Sequence, residues 1–172
     1  MPWTPDHQDI GVTLAKYEKE KQASKPDASS KAYSSIIDEL SCRGWFERFP
    51  DSLPREAQTF FYVLFADTEI NNGGFAQYFL NGYGKYAQET VTAYREIGTP
   101  KKAALLAAVM ASFPGGKYPK TADEYSDLFN ETEAALDLLD SDDFGIKYFQ
   151  TGENIKELMI AYVKKHFAQF AP

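Results

Sequence analysis

The sequence predicts an all-α fold in a single compact multi-helix domain, and three observations carry that expectation. Apolar residues recur at spacings of three and four, and no convincing stretch alternates with a period of two. Pro and Gly fall where helices should start and stop, at Pro54, Gly73-Gly74, Gly82, Pro100 and Pro114-Gly115-Gly116. A chain of 172 residues that is 44% hydrophobic suits one core and lies well above disordered compositions.

The elements follow in order. Thr4 as N-cap and Pro5 at the first helical position open a helix from about Asp6 to Gln22, with Ile10, Leu14 and Tyr17 on its apolar side. A polar linker over residues 23–30 completes an N-terminal segment of 1–30, and the core is expected over 31–172. The second helix covers about Lys31 to Cys42, followed by Trp45, Phe46 and Phe49. Pro54 opens a third helix whose residues Ala57, Phe60, Phe61, Leu64 and Phe65 form a buried stripe. That helix should break at Asn72-Gly73-Gly74 and restart from Phe75 to Leu80. Further helices are expected from Lys85 to Ile97, from Thr99-Pro100 to Phe113, from Thr121 to about Leu139, and from Glu153 to Phe170. In the last of these, Ile155, Leu158, Met159, Tyr162 and Phe170 should point inward.

The helix from Thr121 is the most unusual. Thr121-Ala122-Asp123-Glu124 reads as a capping box. Tyr125, Leu128, Phe129, Thr132, Leu136 and Leu139 form an inner stripe about 100° wide. Between Thr121 and Ile146 stand Asp123, Glu124, Asp127, Glu131, Glu133, Asp137, Asp140, Asp142 and Asp143, and no Lys or Arg. The chain has 25 acids and 18 bases, net −7, so outside this stretch 16 acids face 18 bases. At about 1.5 Å per residue, residues 123–143 span roughly 31 Å, or about one charge per 3.5 Å. One strand of B-DNA carries about one charge per 3.4 Å and the duplex about one per 1.7 Å. A single strip thus matches one strand, and two strips in a symmetric dimer approach the duplex. A plainly solvated helix face is the alternative. Against it, like charges four apart, as in Asp123 with Asp127 and Glu133 with Asp137, oppose their own helix. Asp137 and Asp140 also stand at the anion-disfavouring C-terminal end.

The densest local signature is Glu69-Ile70-Asn71-Asn72-Gly73-Gly74-Phe75-Ala76-Gln77-Tyr78-Phe79-Leu80-Asn81-Gly82. It reads as a helix stop, a glycine turn and a restart pinned by Phe75, Tyr78 and Phe79. Its polar residues admit two readings. They satisfy backbone groups freed at the turn, or Glu69, Asn72 and Gln77 line a polar pocket that binds or transforms a small molecule. The motif of Glu69, Asn72, Gly73, Gly74, Phe75 and Gln77 resembles a bacterial family of small all-helical proteins. The best-known member of that family is a DNA mimic of about this size. The resemblance is centred on residues 57–84 and extends more weakly over 33–165. It implies an acidic homodimer that imitates duplex DNA and occupies the DNA-binding face of a helix-turn-helix transcription regulator. The nine acids of 123–143 would then form the partner-binding surface, while the Asn-Gly-Gly-Phe corner marks only the family.

Other functions find little support. His7 and His166 are the only histidines and neither has metal-ligand spacing. No phosphate loop, dinucleotide fingerprint or catalytic triad order occurs, so neither catalysis nor a cofactor or metal is expected. Asp140-Ser141-Asp142-Asp143 departs from a calcium loop at the fifth and twelfth positions, Phe144 and Thr151. The lone Cys42 is expected as a small buried hydrophobe in a reducing, cytoplasmic setting. Met1 to Asp6 lacks the features of a signal peptide and no apolar run would span a membrane. Lys16, Lys19, Lys21 and Lys25 are diluted by Glu18, Glu20 and Asp27, so direct nucleic-acid binding is not expected.

Overall fold

The structure, a computed structural model, describes residues 9–131 and 142–171; at 129–131, 142 and 143 the description covers the backbone. The chain is all-α. The helices are α1 Ile10–Gln22, α2 Ala28–Cys42, α3 Trp45–Arg48, α4 Arg55–Leu80, α5 Ala87–Ile97, α6 Pro100–Ser112, α7 Ala122–Glu131, α8 Asp142–Gln150, α9 Ile155–Lys165 and α10 Phe167–Phe170. Short 3-10 turns lie at Tyr83–Tyr86 and Pro114–Gly116. Packing gathers the chain into two units, Met1–Phe60 with Asn154–Pro172, and Phe61–Glu153.

In the first unit α1 packs on α2, and α2 packs on α9. The expected stripe of Ile10, Leu14 and Tyr17 is buried. Asp9 caps α1, its carboxylate accepting from the Gly11 amide at 2.5 Å. The described helix starts at Ile10, and the expected start at Thr4 to Asp6 lies outside the described residues. The expected linker is shorter than 23–30. Burial of Ala28, and a 3.1 Å bond from the Ser29 hydroxyl to Glu157 of α9, draw those residues into α2. Around Phe170, Trp45 stacks at 6.0 Å and Phe60 meets it edge-on at 5.8 Å. Arg43 donates to the Phe170 carbonyl at 2.6 Å and to Glu39 at 2.8 Å. The C-terminal helix ends at Lys165, and α10 restarts beyond His166, whose backbone (φ −110°, ψ 30°) leaves the α region. Asn154, not Glu153, caps α9, accepting from the Glu157 amide at 3.3 Å. Cys42, expected to be buried, is exposed. It is the last residue of α2, where Ile36 and Leu40 take the inward positions.

In the second unit Phe61, Leu64, Ile70, Phe75, Tyr78, Phe79, Tyr94, Leu106 and Val109 are buried. Helices α5 and α6 pack on each other, joined through Gly98 at φ 94° and Thr99. The helix expected from Lys85 opens instead as the 3-10 turn at Tyr83–Tyr86. Gly84 lies so close to the Pro119 carbonyl that no Cβ would fit, and the Lys85 amide donates to the Lys120 carbonyl at 3.1 Å. Helix α8 lies between the helices expected from Thr121 and from Glu153, where none is expected.

Candidate partner-binding surface and the Asn-Gly-Gly-Phe corner

Helix α4 is interrupted at Gly73 and Gly74. Gly74 has φ 70° and ψ −170°, a conformation open essentially to glycine alone. A Cβ on Gly73 would run into the Gln77 side chain. The turn lets Gln77 and Asn81 reach back across it. Both donate to the same Glu69 carboxylate oxygen, at 2.8 Å and 2.7 Å. Burial and the Glu69 carboxylate push the nearby Tyr83 phenol above its ordinary range. The structure therefore brings together Glu69, Gln77 and Asn81. Asn72 is exposed and is not among the groups Glu69 binds, so the anticipated trio does not converge. Asn71 instead donates its side-chain amide to the Asp67 carbonyl one turn back, at 2.5 Å.

Along the acidic segment, Thr121 and Glu124 form the expected cap. The Glu124 amide donates to Thr121 Oγ1 at 3.1 Å, and the Glu124 carboxylate accepts from the Lys120 amide at 2.7 Å. Tyr125 is buried and Leu128 half-buried, while Asp123, Glu124 and Asp127 are exposed on the other side of α7. Glu131 is the last residue of α7, and Asp142 and Asp143 open α8. Glu133, Asp137 and Asp140 lie outside the described residues, as do the inner positions Thr132, Leu136 and Leu139.

Helix α8 is seated by residues that the sequence does not bring together. Phe75, the last letter of the corner motif, meets Tyr148 edge-on at 5.8 Å and Phe144 at 6.4 Å. The Tyr148 hydroxyl donates to Asp67 at 2.7 Å and lies 3.0 Å from the Tyr94 hydroxyl. Burial, with Tyr94 and Asp67 beside it, drives this phenol far above its ordinary range. Lys102, itself buried, donates to the Tyr148 carbonyl at 3.1 Å. Burial holds its ammonium below the ordinary lysine value, partly countered by Asp67 and Glu153. Glu153 accepts from the Lys101 and Lys102 amides at 2.9 Å and 3.0 Å. A carboxylate from beyond α8 thus caps the N-terminus of α6, where the Thr99 hydroxyl is turned away to the Tyr94 carbonyl. Among the described residues no group of three His, Cys, Asp or Glu is placed to hold a metal, and no helix is long and apolar enough to cross a membrane.

Residues 51–166, two thirds of the chain, match the model of the DMP19-like protein family. The chain belongs to that family. It is the group of small helical proteins to which the Asn-Gly-Gly-Phe motif pointed. No curated protein and no solved structure matches the chain. The DMP19-like match includes the corner, the acidic segment and α8, and leaves out α1, α2, α3 and α10. In this DMP19-like chain the corner does more than mark the family, because its Phe75, together with Asp67 two residues before the corner, holds the helix that closes the acidic stretch. A signal for α8 exists in the sequence: two acids in its first turn, Phe144 and Tyr148 four apart, and Gly152 just beyond its end.

Proposed function

We propose that this protein is a DNA mimic that sequesters a DNA-binding protein, most simply a helix-turn-helix transcription regulator, by offering a surface of carboxylates in place of phosphates. The observation that carries this reading is the run of nine acids without one base inside the DMP19-like match. The exposure of Asp123, Glu124 and Asp127 opposite buried Tyr125 supports it, since carboxylates must face outward to stand in for phosphates. An exposed strip of one sign attracts basic protein surfaces and repels nucleic acid and anionic membranes. We also propose that the protein acts as a homodimer in the cytoplasm, because one strip supplies about half the linear charge density of a duplex. On this reading it performs no catalysis and needs no cofactor or metal. Of the side chains that a small-molecule site at the corner would use, Glu69, Asn72 and Gln77, the Glu69 carboxylate is taken up by Gln77 and by Asn81.

The test is competition. The tagged protein is used to capture a DNA-binding protein, and the purified pair is titrated against that protein's own labelled duplex. Mimicry requires that duplex and mimic displace each other. A captured regulator that binds both at once contradicts the proposal.

A further inference from the structure

Helix α8 has two faces, and the contacts that seat it among the described residues are made by the inner one. Phe144 and Tyr148 point to Phe75, and Tyr148 is held by Asp67, Tyr94 and Lys102. On the other side Ile146 is 48% exposed and Phe149 60% exposed. They are three residues apart, one turn of the helix. Val12, Leu80 and Phe167, the remaining large hydrophobics exposed among the described residues, lie on three other helices, α1, α4 and α10. Single exposed apolar residues are ordinary, but an adjacent aliphatic and aromatic pair on a helix already anchored by its other face is not demanded by folding.

We infer that Ile146 and Phe149 form the apolar anchor with which this protein grips its basic, DNA-reading partner. The inference rests on the DNA-mimic reading above. Charge selects this occupant over a second copy of the chain. Helix α8 opens with Asp142 and Asp143, the last acids of the strip, and by helical register position 142 falls on the same arc as 146 and 149. A second copy docking here would bring two like-charged segments together, whereas a DNA-reading surface brings the opposite charge. Interfaces of this kind concentrate their affinity in a few apolar or aromatic anchors inside a charged rim. Carboxylates alone would give a complex that high salt dissolves. An apolar anchor gives it a component that salt does not screen.

The test uses the full chain, with Ile146→Ser and Phe149→Ser combined, against the regulator identified by capture and its labelled duplex. Both positions are exposed, so the variant should keep its helicity and melting midpoint. It should compete less well than the unsubstituted protein by about the same factor, at least about tenfold, both at low salt and above about 0.5 M, where charges are screened within a few ångströms. The slope of log affinity against log salt should stay within its error wherever both are measurable. If the unsubstituted protein competes and the double variant competes equally at every salt concentration, the anchor is wrong and mimicry stands. If the unsubstituted protein does not compete at all, mimicry fails and the anchor falls with it. If the unsubstituted protein sediments as a dimer and the double variant as a monomer, the face is a seam between copies and the inference is overturned.

Discussion

The Lys102 ammonium lies 3.3 Å from the centre of the Tyr148 ring and donates to the carbonyl of that same residue at 3.1 Å. One buried cation therefore meets both the π face and the backbone of the residue that seats α8. Such a contact strengthens when water is excluded, to about 2 kcal/mol or more. Its cost is the burial of the charge, which keeps the ammonium below its ordinary value of 10.5.

That cost has a pH signature. In the unfolded chain Lys102 titrates at its ordinary value, and in the folded chain it titrates lower. Between the two values the unfolded chain binds more protons, so the stability from this group rises as pH rises through the folded value. Below the folded value both states are protonated and the full penalty is present. Lys102→Met removes the term. The unfolding free energy of the unsubstituted protein minus that of Lys102→Met should shift in favour of the unsubstituted protein as the pH rises toward the ordinary lysine value of 10.5, measured by denaturant titration at each pH. A shift in the opposite direction would contradict the direction assigned to Lys102.

Tyr148→Phe removes one hydroxyl from between Asp67 and Tyr94, at 2.7 Å and 3.0 Å. The ring remains, and with it the contact to Phe75. The expected loss is about 1–3 kcal/mol, since two polar groups lose a partner in a largely buried place. The denaturant midpoint should fall at an unchanged m-value, and hydrogen exchange should quicken over 142–150 before it quickens in α5.

Gly74→Ala should cost more than a usual surface substitution, about 1–3 kcal/mol, because a Cβ is strained at φ 70° and ψ −170°. No neighbour lies within 4 Å of that Cβ, so the cost is one of backbone and not of collision. Gly73→Ala should act differently. Its Cβ meets Gln77, and relief of the clash by displacement of Gln77 from Glu69 should show as a shifted Gln77 side-chain amide resonance. Equal stability of Gly74→Ala and the unsubstituted protein in thermal melts would remove the strain argument.

What the sequence made legible was whatever repeats locally. The stripe Ala57, Phe60, Phe61 and Leu64 is buried as its spacing predicts, and Ile10, Leu14 and Tyr17 behave likewise. Phe65, at the edge of the same stripe, is only half-buried. Hidden from the pattern were contacts made across long stretches of chain. Lys102 reads as a surface residue of an Ala-rich helix, and nothing near it in sequence predicts a partner 46 residues away. Glu153 looks like the start of the last helix, but it caps the one beginning at Pro100. The candidate site divides the same way. The acids of α7 follow from register, while the role of the corner as a seat for α8 depends on Asp67 and Phe75 meeting Tyr148 in space.

The last prediction concerns the acidic strip itself. Asp127→Lys, Glu131→Lys and Asp137→Lys, combined, reverse three charges that the register expected from the sequence sets outside the stripe of Tyr125 and Leu128; Asp137 lies outside the described residues. The fold should tolerate them and gains some relief of like-charge repulsion four residues apart. If the strip stands in for phosphates, each reversal replaces an attraction to a partner Lys or Arg by a repulsion. At about 0.2–1 kcal/mol for each exposed pair lost, and a similar amount for each repulsion made, competition with DNA should fall by about tenfold or more. Binding by the unsubstituted protein should weaken with salt, with a shallower slope than the regulator shows for its own duplex, because carboxylates on a folded protein condense fewer counterions than duplex phosphates. The triple variant should show a shallower slope still. The measurement is a competition titration over a range of salt, with circular dichroism and sedimentation to establish that the variant is folded and keeps its oligomeric state. A folded triple variant that competes at full strength with an unchanged slope would make these acids a solvated helix face and nothing more.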